Sequence, residues 1–592
     1  MVLRGLTSKP ATRRIIAYDL EWYPRKPRIP KELWLKLRLV GVFDGEEYRT
    51  YTSVSAFLCE EMTPENSGAW FYAHAGGLAD ILFLLPILRD SRYQVEMSFS
   101  GSSAIIVRIS DGRDHWILID SLWTLRSSLA DIGEAIGLPK GDVEWDCPLP
   151  ELIAYNERDC RIVYAALTQF EDLLHSLGSE LKATLASTSM ALFRRRYLSK
   201  DLVTSIPAND KLRQAYFGGK VVVYQRYAER GFCYDINSSF PFAMLSPLPG
   251  RLLRTISERG LNRPRLPEGQ QYFADVTVRI ARDICPLPKR SGGSLYFPVG
   301  EWRGWYSGDE IALLDSHEIA RVHEVMLYDA RLDLATFAQE LYDRRKAATY
   351  EFHSILLKYL LNSGYGKFGE REEKSSVILN PGPEIWEKVH SGELVVTGNP
   401  FPGCLCFDRS VELQHVHVPF AAAITARARA NLHRFELQCD PVLYCDTDSV
   451  CTPTVLPVSK ELGELKREYS FSPELGGAEF VAGKLYRLGS KVRAKGFPLE
   501  RIVKEAYDRG KGSSELYEDF ACKSKVSMFD TIKEGGDIKY ARMLRVRESI
   551  VGGHLDPTEI DTKKHLAFKA RPKRKTFPDG HTEPWNVSEL GD

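Results

Sequence analysis

The sequence lacks the features that announce several classes of protein. No apolar stretch is long enough for a bilayer: the longest run, Ile81-Leu82-Phe83-Leu84-Leu85, is stopped by Pro86, whereas a spanning helix needs about 20 apolar residues. The N-terminus has basic residues but no apolar core of a signal peptide, so no membrane span or secretory route is expected. The 11 cysteines are odd in number and scattered, with no CxxC pair. That argues against a disulfide framework and a zinc knuckle, and for a reducing compartment. Net charge is missing too. Lys+Arg and Asp+Glu are equal at 79 each, so any attraction for a polyanion has to come from local patches. There is no internal repeat and no low-complexity tract.

What remains is an ordinary globular composition, 44% hydrophobic and 27% charged over 592 residues. That length exceeds one core and predicts two or three domains. Turn-forming punctuation falls at Pro24 to Pro30, in the Pro/Gly/Arg-rich run Ser246 to Gln270, and at Asn380-Pro381-Gly382-Pro383.

The stretch Val442-Leu443-Tyr444-Cys445-Asp446-Thr447-Asp448-Ser449-Val450-Cys451 reads as two short strands joined by a tight turn, with the acids at its tip. Two carboxylates in a half-buried hairpin need a counter-charge. A divalent cation with a polyphosphate ligand supplies one, and it calls for a third acid from elsewhere. An Asx-rich surface turn is the plainer alternative. Phe232 to Pro241 ends a strand on Asp235, the candidate for that third carboxylate.

A second acidic set lies near the N-terminus. In Arg14 to Trp22 a strand period puts Asp19 and Glu21 on one face. His74 to Leu85 reads as a glycine turn followed by a helix with Asp80 at its start, where a negative charge is favoured. Leu152 to Tyr164 is helical, with Tyr155 and Asp159 sharing a face. Four acids and a tyrosine from three elements are what a two-metal nuclease needs, with the tyrosine orienting the attacking water. Taken one at a time, each is equally an N-cap or a solvated acid.

Between these sets lie weaker signals. Ser121-Leu122 after a strand and Lys140 in a loop suit a held single strand, or an ordinary loop. Leu181 to Leu198 is a basic-ended helical connector. Tyr216-Phe217-Gly218-Gly219 permits close backbone approach to a ligand, or is a plain β-turn. In the helical pair Leu334 to Phe368, Lys358, Asn362 and Tyr365 line one face before Gly366 ends the helix, suiting a triphosphate and a base or simply solvent. Ala421 to Asn431 is a helix of small residues with two arginines. Lys484 and Tyr486 share a strand face, as a backbone contact and a stacking group. The basic C-terminal cluster Lys563, Lys564, Lys569, Arg571, Lys573, Arg574 and Lys575 favours phosphate.

In this order the motifs resemble those of a family B (alpha-like) DNA polymerase of the protein-primed branch, the phage, linear-plasmid and organellar-plasmid type, over nearly the whole length. Asp19-Leu20-Glu21, His74 to Asp80 and Tyr155 to Asp159 are similar to its three exonuclease motifs. Asp235 to Pro241, Lys358 to Gly366 and Tyr444 to Ser449 are similar to its three polymerase motifs. Tyr216 to Gly219 resembles the motif linking exonuclease and palm, Thr425 to Arg429 the template-contacting pattern, and Lys484-Leu485-Tyr486 the primer motif. Ser121, Leu122 and Lys140 fit the single-strand motifs of the exonuclease.

The resemblance implies an α+β multidomain fold, an RNase H-like 3′-5′ exonuclease joined to a right-hand polymerase. The expected bounds are exonuclease 1–190, palm 191–260 and 419–497, fingers 333–369, two insertions at 261–332 and 370–418 resembling terminal-protein regions, and thumb with basic tail 498–592. It implies Asp235 and Asp448, supported by Asp446, as ligands of two Mg²⁺ (or Mn²⁺), and Asp19, Glu21, Asp80 and Asp159 as exonuclease metal ligands. Lys358, Lys346, Asn362, Tyr365, Phe240 and Ser239 are implied around a deoxynucleoside triphosphate. Primer-template DNA and a terminal-protein primer are the implied partners of a monomer in host cytoplasm or an organellar matrix. The chain departs from the family at Ala75 (usually Asn), Ala79 (usually Phe), Phe240 (usually Tyr) and Gly364 (usually Leu).

Overall fold

The computed structural model describes residues 1–26, 29–257, 270–371, 373–410, 413–510, 517–565 and 572–591. Lys569 and Arg571 of the basic cluster, and 258–269 of the Pro/Gly/Arg-rich run, lie outside the described residues.

The N-terminal unit is built on the strand Ile15–Trp22, whose period of two sends alternate residues to opposite faces. Ile15 and Ala17 pack with the long helix Leu149–Ser176, while Ile16, Tyr18 and Leu20 pack with the helices Val54–Glu61 and Asp80–Arg89. Because both faces are covered, the strand opens on an unbroken apolar run. Its parallel neighbour is Trp70–Ala73, followed by His115–Asp120. On this side the sheet continues through Ser103–Ser110 and Gln94–Ser100 into Glu373–Leu379, Cys404–Ser410 and Val395–Gly398, and on the other side of Ile15–Trp22 it adds Leu37–Phe43 and Tyr48–Tyr51, making ten strands in all.

The central unit carries a five-stranded antiparallel sheet in the order 221–223, 444–446, 449–452, 231–236, 465–471. The helix Val418–Glu436 backs it through Leu432 and Phe435. A separate four-stranded sheet (Leu248–Ser257, Ile319–Arg331, Gln271–Ile280, Gly300–Ser307) precedes the helical pair Asp333–Ala347 and Glu351–Ser363. Beyond a four-stranded sheet of Tyr227–Ala228, Ala478–Ala482, Leu485–Leu488 and Lys491–Ala494 come the helices Leu499–Gly510 and Tyr517–Lys533, with the hairpin Asp537–Met543/Glu559–His565.

Several expectations change here. Cys233 and Cys451, direct partners on neighbouring strands, are joined as a disulfide across 218 residues of sequence. Nothing local in the sequence marks them. The connector is helical only over Leu185–Leu192 and ends in a π turn at Phe193–Tyr197. Its arginines are tied down: Arg195 to Glu180 at 3.0 Å and Arg196 to Glu340 at 2.7 Å. The basic C-terminal side chains are likewise used internally. Arg574 is buried and bonds Asp283, while Lys575 pairs with Glu589 at 2.7 Å. These two present no free phosphate-binding patch.

Candidate active sites

The strand Ile15–Trp22 turns Asp19 and Glu21 toward the helix Leu149–Ser176, which brings Asp159 beneath them. One ligand oxygen or more from each of these three lies within 4.8 Å of the others, the only such metal-competent group found among the described residues. Asp80, the first residue of its helix, joins from the side and accepts the Leu20 amide at 3.2 Å. Burial pushes all four carboxyls up, and neighbouring negative charge adds to it at Asp19 and Glu21. Glu21 and Asp80 reach about 7. Carboxylates held so close need a cation.

Lys140 supplies one positive charge: its ammonium contacts Asp159 and lies 4.4 Å from the Tyr155 ring centre. Two groups here escaped the sequence reading. Asn156 is fully buried and donates to Asp19 Oδ2 at 2.9 Å, while its carbonyl accepts the Tyr48 hydroxyl at 2.9 Å. Its place three residues before Asp159 on the same helix was the available signal. Asp120 is buried, accepts the Leu122 amide at 2.9 Å, and is pushed up to about 6 by burial. Ser121, expected to touch a single strand, is fully buried and bonds His74 Nδ1 at 3.0 Å. It therefore supports the His74 turn and offers no surface to a strand, whereas Leu122 is half-buried beside it.

The second centre sits on the five-stranded sheet. The strand pair 231–236/449–452 sets Asp235 opposite Ser449, and the Ile236 amide donates to the Asp448 carbonyl at 2.7 Å. Asp235 thus lies beside the second arm of the hairpin, 449–452, and Asp446 and Asp448 lie at the tip of that hairpin. They do not crowd as the first set does, because each of two acids has its own lysine. Lys466 Nζ lies 2.9 Å from Asp235, and Lys484 contacts Asp446. Burial, then the charges of Asp235 and Asp446, push Asp448 up to about 6. Lys466 was not anticipated, since only the register of its strand puts it opposite Asp235.

Around these acids, Phe240 stacks on Tyr365 with ring centres 4.7 Å apart. Lys358 is exposed on its helix, its charge felt at Asp235, and Asn362 caps back to the Lys358 carbonyl at 2.8 Å. The helix stops at Ser363, so Tyr365 stands in a 3-10 turn and not on the helical face expected of it. Lys346 is exposed and 3.9 Å from Glu461. Ser239 is buried at the start of a short helix. Lys484 has φ +64 and lies in the turn before the strand Leu485–Leu488, so it does not share a strand face with Tyr486, which stacks within the cluster of Tyr444 and Phe480.

Thr425 and Arg429, expected to contact a template, are buried. Thr425 donates to the Ala421 carbonyl at 3.1 Å; Arg429 pairs with Glu310 at 2.7 Å and bonds the Phe217 and Gly218 carbonyls at 2.8 Å each. Arg429 braces the loop Tyr216–Gly219 from inside. In that loop Gly219 presses on the acidic turn, for a Cβ there would lie 2.8 Å from Thr447. The close approach made by Gly219 is to Thr447 of the chain itself and not to the ligand expected of the paired glycines.

Residues 134–395 match the family model described as DNA polymerase type B, organellar and viral. A probable DNA polymerase of Neurospora intermedia is 27% identical over 383 residues, covering 59% of this chain and 39% of its own length. The DNA-directed DNA polymerase of Enterobacteria phage PRD1 is 26% identical over 475 residues, covering 74% of this chain and 76% of its own. The chain thus matches well under half of the Neurospora relative's length. Among solved structures, phi29 DNA polymerase complexed with primer-template DNA superposes with a TM-score of 0.67 at 19% identity, covering 94% of this chain and 100% of that one. That likeness speaks to fold, and the exonuclease-plus-right-hand fold class expected from the sequence is the one observed.

Proposed function

We propose that this chain is a template-directed DNA polymerase of the family B, protein-primed type with its own 3′-5′ exonuclease; the order of the motifs, the match to the organellar and viral type B family model and the phi29-like fold support the reading. The observation that carries the reading is the placement of Asp235 on the strand that pairs with 449–452, the second arm of the hairpin whose tip carries Asp446 and Asp448, faced by Lys358 and by the Phe240–Tyr365 stack.

The donor set fits divalent ions: two of its acids already attract ammonium groups, and the third, Asp448, is pushed up by burial and by the charges of the other two. Asp235 and Asp448 would hold two Mg²⁺, with Asp446 in support; when bound, the ions make the primer hydroxyl a better nucleophile and offset charge on the leaving pyrophosphate. Lys358, with Lys346 behind it, offsets triphosphate charge. The Tyr365 ring supports the incoming base and Phe240 excludes a 2′-hydroxyl, without the hydrogen bond a tyrosine would add.

At the other centre Asp19, Glu21, Asp80 and Asp159 would hold the ions of the exonuclease. Tyr155 orients the attacking water, its phenol kept protonated by burial and by Asp159, which push it up to about 12. Asn156 fixes Asp19, and Lys140 balances Asp159. We extend the reading to DNA primer-template as substrate and a terminal protein as primer. No helix among the described residues is long and apolar enough to cross a membrane.

The test is extension of a primed, partly duplex template with Mg²⁺ and all four deoxynucleotides. Longer products in their presence and shorter ones in their absence are expected. A chain that makes neither, while folded, is not this enzyme. Adding a protein that offers a hydroxyl, with no nucleic-acid primer, separates protein priming from ordinary priming.

A further inference from the structure

Beneath the acidic turn lies an ion pair that the mechanism above does not use. Lys220 is 1% exposed and Glu436 0%. Their Nζ and Oε2 are 2.7 Å apart, and Lys220 also donates to the Cys285 carbonyl at 2.9 Å. The other Glu436 oxygen, Oε1, accepts the Tyr224 hydroxyl at 2.9 Å, while His433 Nδ1 approaches Oε2 at 3.3 Å beside Lys220. Burial is the largest influence on the Glu436 carboxyl and acts to raise it, but the Lys220 charge together with the hydrogen bonds from His433 and Lys220 outweighs it and holds the carboxyl down at about 2. Such a pair is a poor source of stability, because apolar residues of the same volume pack at least as well. What it sets is position.

The main chain at Lys220 shows what is positioned. Its carbonyl accepts the Thr447 amide at 2.7 Å, and the next residue, Val221, pairs directly with Asp446. Thr447 has φ +64, a conformation a β-branched residue adopts only where its surroundings impose it. Gly219 closes on the same residue from one side, and Arg429 fixes the loop behind it. Thr447 in turn donates its hydroxyl to Asp446 Oδ1 at 3.0 Å. The buried side chain of Lys220 and the half-buried acids are thus joined by one short run of backbone.

We propose that Lys220 and Glu436 are positioning residues of the polymerase site: their buried pair pins the backbone that holds the strained Thr447 turn, and so sets where Asp446 and Asp448 stand to receive divalent ions. The inference rests on the polymerase reading above. Changing the ion's outer support in this way characteristically weakens metal affinity about 10- to 100-fold.

The test uses the full chain and the double variant Lys220→Met/Glu436→Gln, which removes both charges and strands neither. Mn²⁺ binding is followed by electron paramagnetic resonance of the free ion, beside the Mg²⁺ needed for half-maximal extension and half-maximal exonuclease. Expected are an about tenfold weaker class of Mn²⁺ sites and an about tenfold higher Mg²⁺ requirement for extension. The exonuclease requirement, and the Mn²⁺ class abolished by Asp19→Ala, should stay within twofold. A folded double variant whose two Mg²⁺ requirements stay put, or rise together, overturns the proposal. If that variant does not fold, Thr447→Gly loosens the same turn with the buried pair intact. It should weaken the same Mn²⁺ class severalfold, and unchanged binding there also overturns the proposal. A wild-type chain that binds Mn²⁺ in both classes yet extends no primer refutes the polymerase reading instead, and Mn²⁺ binding then judges the positioning pair alone.

Discussion

At the N-terminal centre three carboxylates crowd within 4.8 Å of one another around a single lysine, and two of the four acids are pushed up to about 7. At the hairpin centre Asp235 and Asp446 each have a lysine of their own, and the Asp448 carboxyl reaches only about 6. The same chemistry is thus prepared in two ways. Acids enclosed between sheet and helix keep their mutual repulsion until a cation arrives. Acids on an open hairpin, reached by polar side chains, find ammonium stand-ins.

The sharpest way to break the comparison is to remove one acid from each side. Asp448→Ala should lower primer extension by roughly a hundredfold or more, the scale on which one preorganised charge-stabilising group counts, and leave exonuclease rates intact. Asp19→Ala should do the reverse. Gel assays of both activities on both variants decide it, and joint loss in either would mean that the centres are not independent.

Smaller effects follow from the lysines. Lys358→Ala should raise the KM for deoxynucleotides by about tenfold with a smaller change in kcat, as for lost substrate binding. Lys140→Met should lower only the exonuclease, again by about tenfold, the low end of what one hydrogen bond to a charged group is worth. Steady-state kinetics of both reactions would expose any crossover.

The crowding itself can be read from pH. In metal-free protein, Glu21 and Asp80 bind protons more tightly folded than unfolded, so their contribution to stability is present below the unfolded pKa and is lost as pH rises toward about 7. Calorimetry in EDTA should therefore show the N-terminal unit melting lower at pH 8 than at pH 6, by a few degrees. Mg²⁺ should restore more at pH 8. An equal Mg²⁺ effect at both values would show that the repulsion is relieved by other means.

The smallest expected effect concerns Ala75, which holds φ +61 in the turn before Asp80. Asn tolerates that conformation better, so Ala75→Asn should stabilise the protein by up to about 1 kcal/mol, measured by denaturant melts. A destabilised variant would show that the space around the turn, and not its backbone, selects alanine.

Much of this was legible because it is local. The alternation of Ile15 to Trp22, the hairpin at Asp446–Asp448 and the helical spacing of Tyr155 and Asp159 each need only a few residues to declare themselves. What stayed hidden depends on register between distant strands. Lys466 against Asp235, Cys233 against Cys451, and Arg429 turned inward onto Glu310 are pairings of residues 119 to 231 apart in sequence. A motif names a residue without saying which way it faces, and Thr425, Arg429 and Ser121 all face in.

The ten-stranded sheet has one more consequence, for anyone who trims this molecule. The strand Glu373–Leu379 hydrogen-bonds to Gln94–Ser100 and adds Val377 and Leu379 to the N-terminal core. Excising 370–418 would leave Gln94–Ser100 as a raw border with a row of unmatched amides and carbonyls, a template for clumping between molecules. A truncated chain that precipitates would then say nothing about what the insertion does, unless a lysine or proline is first written into that border.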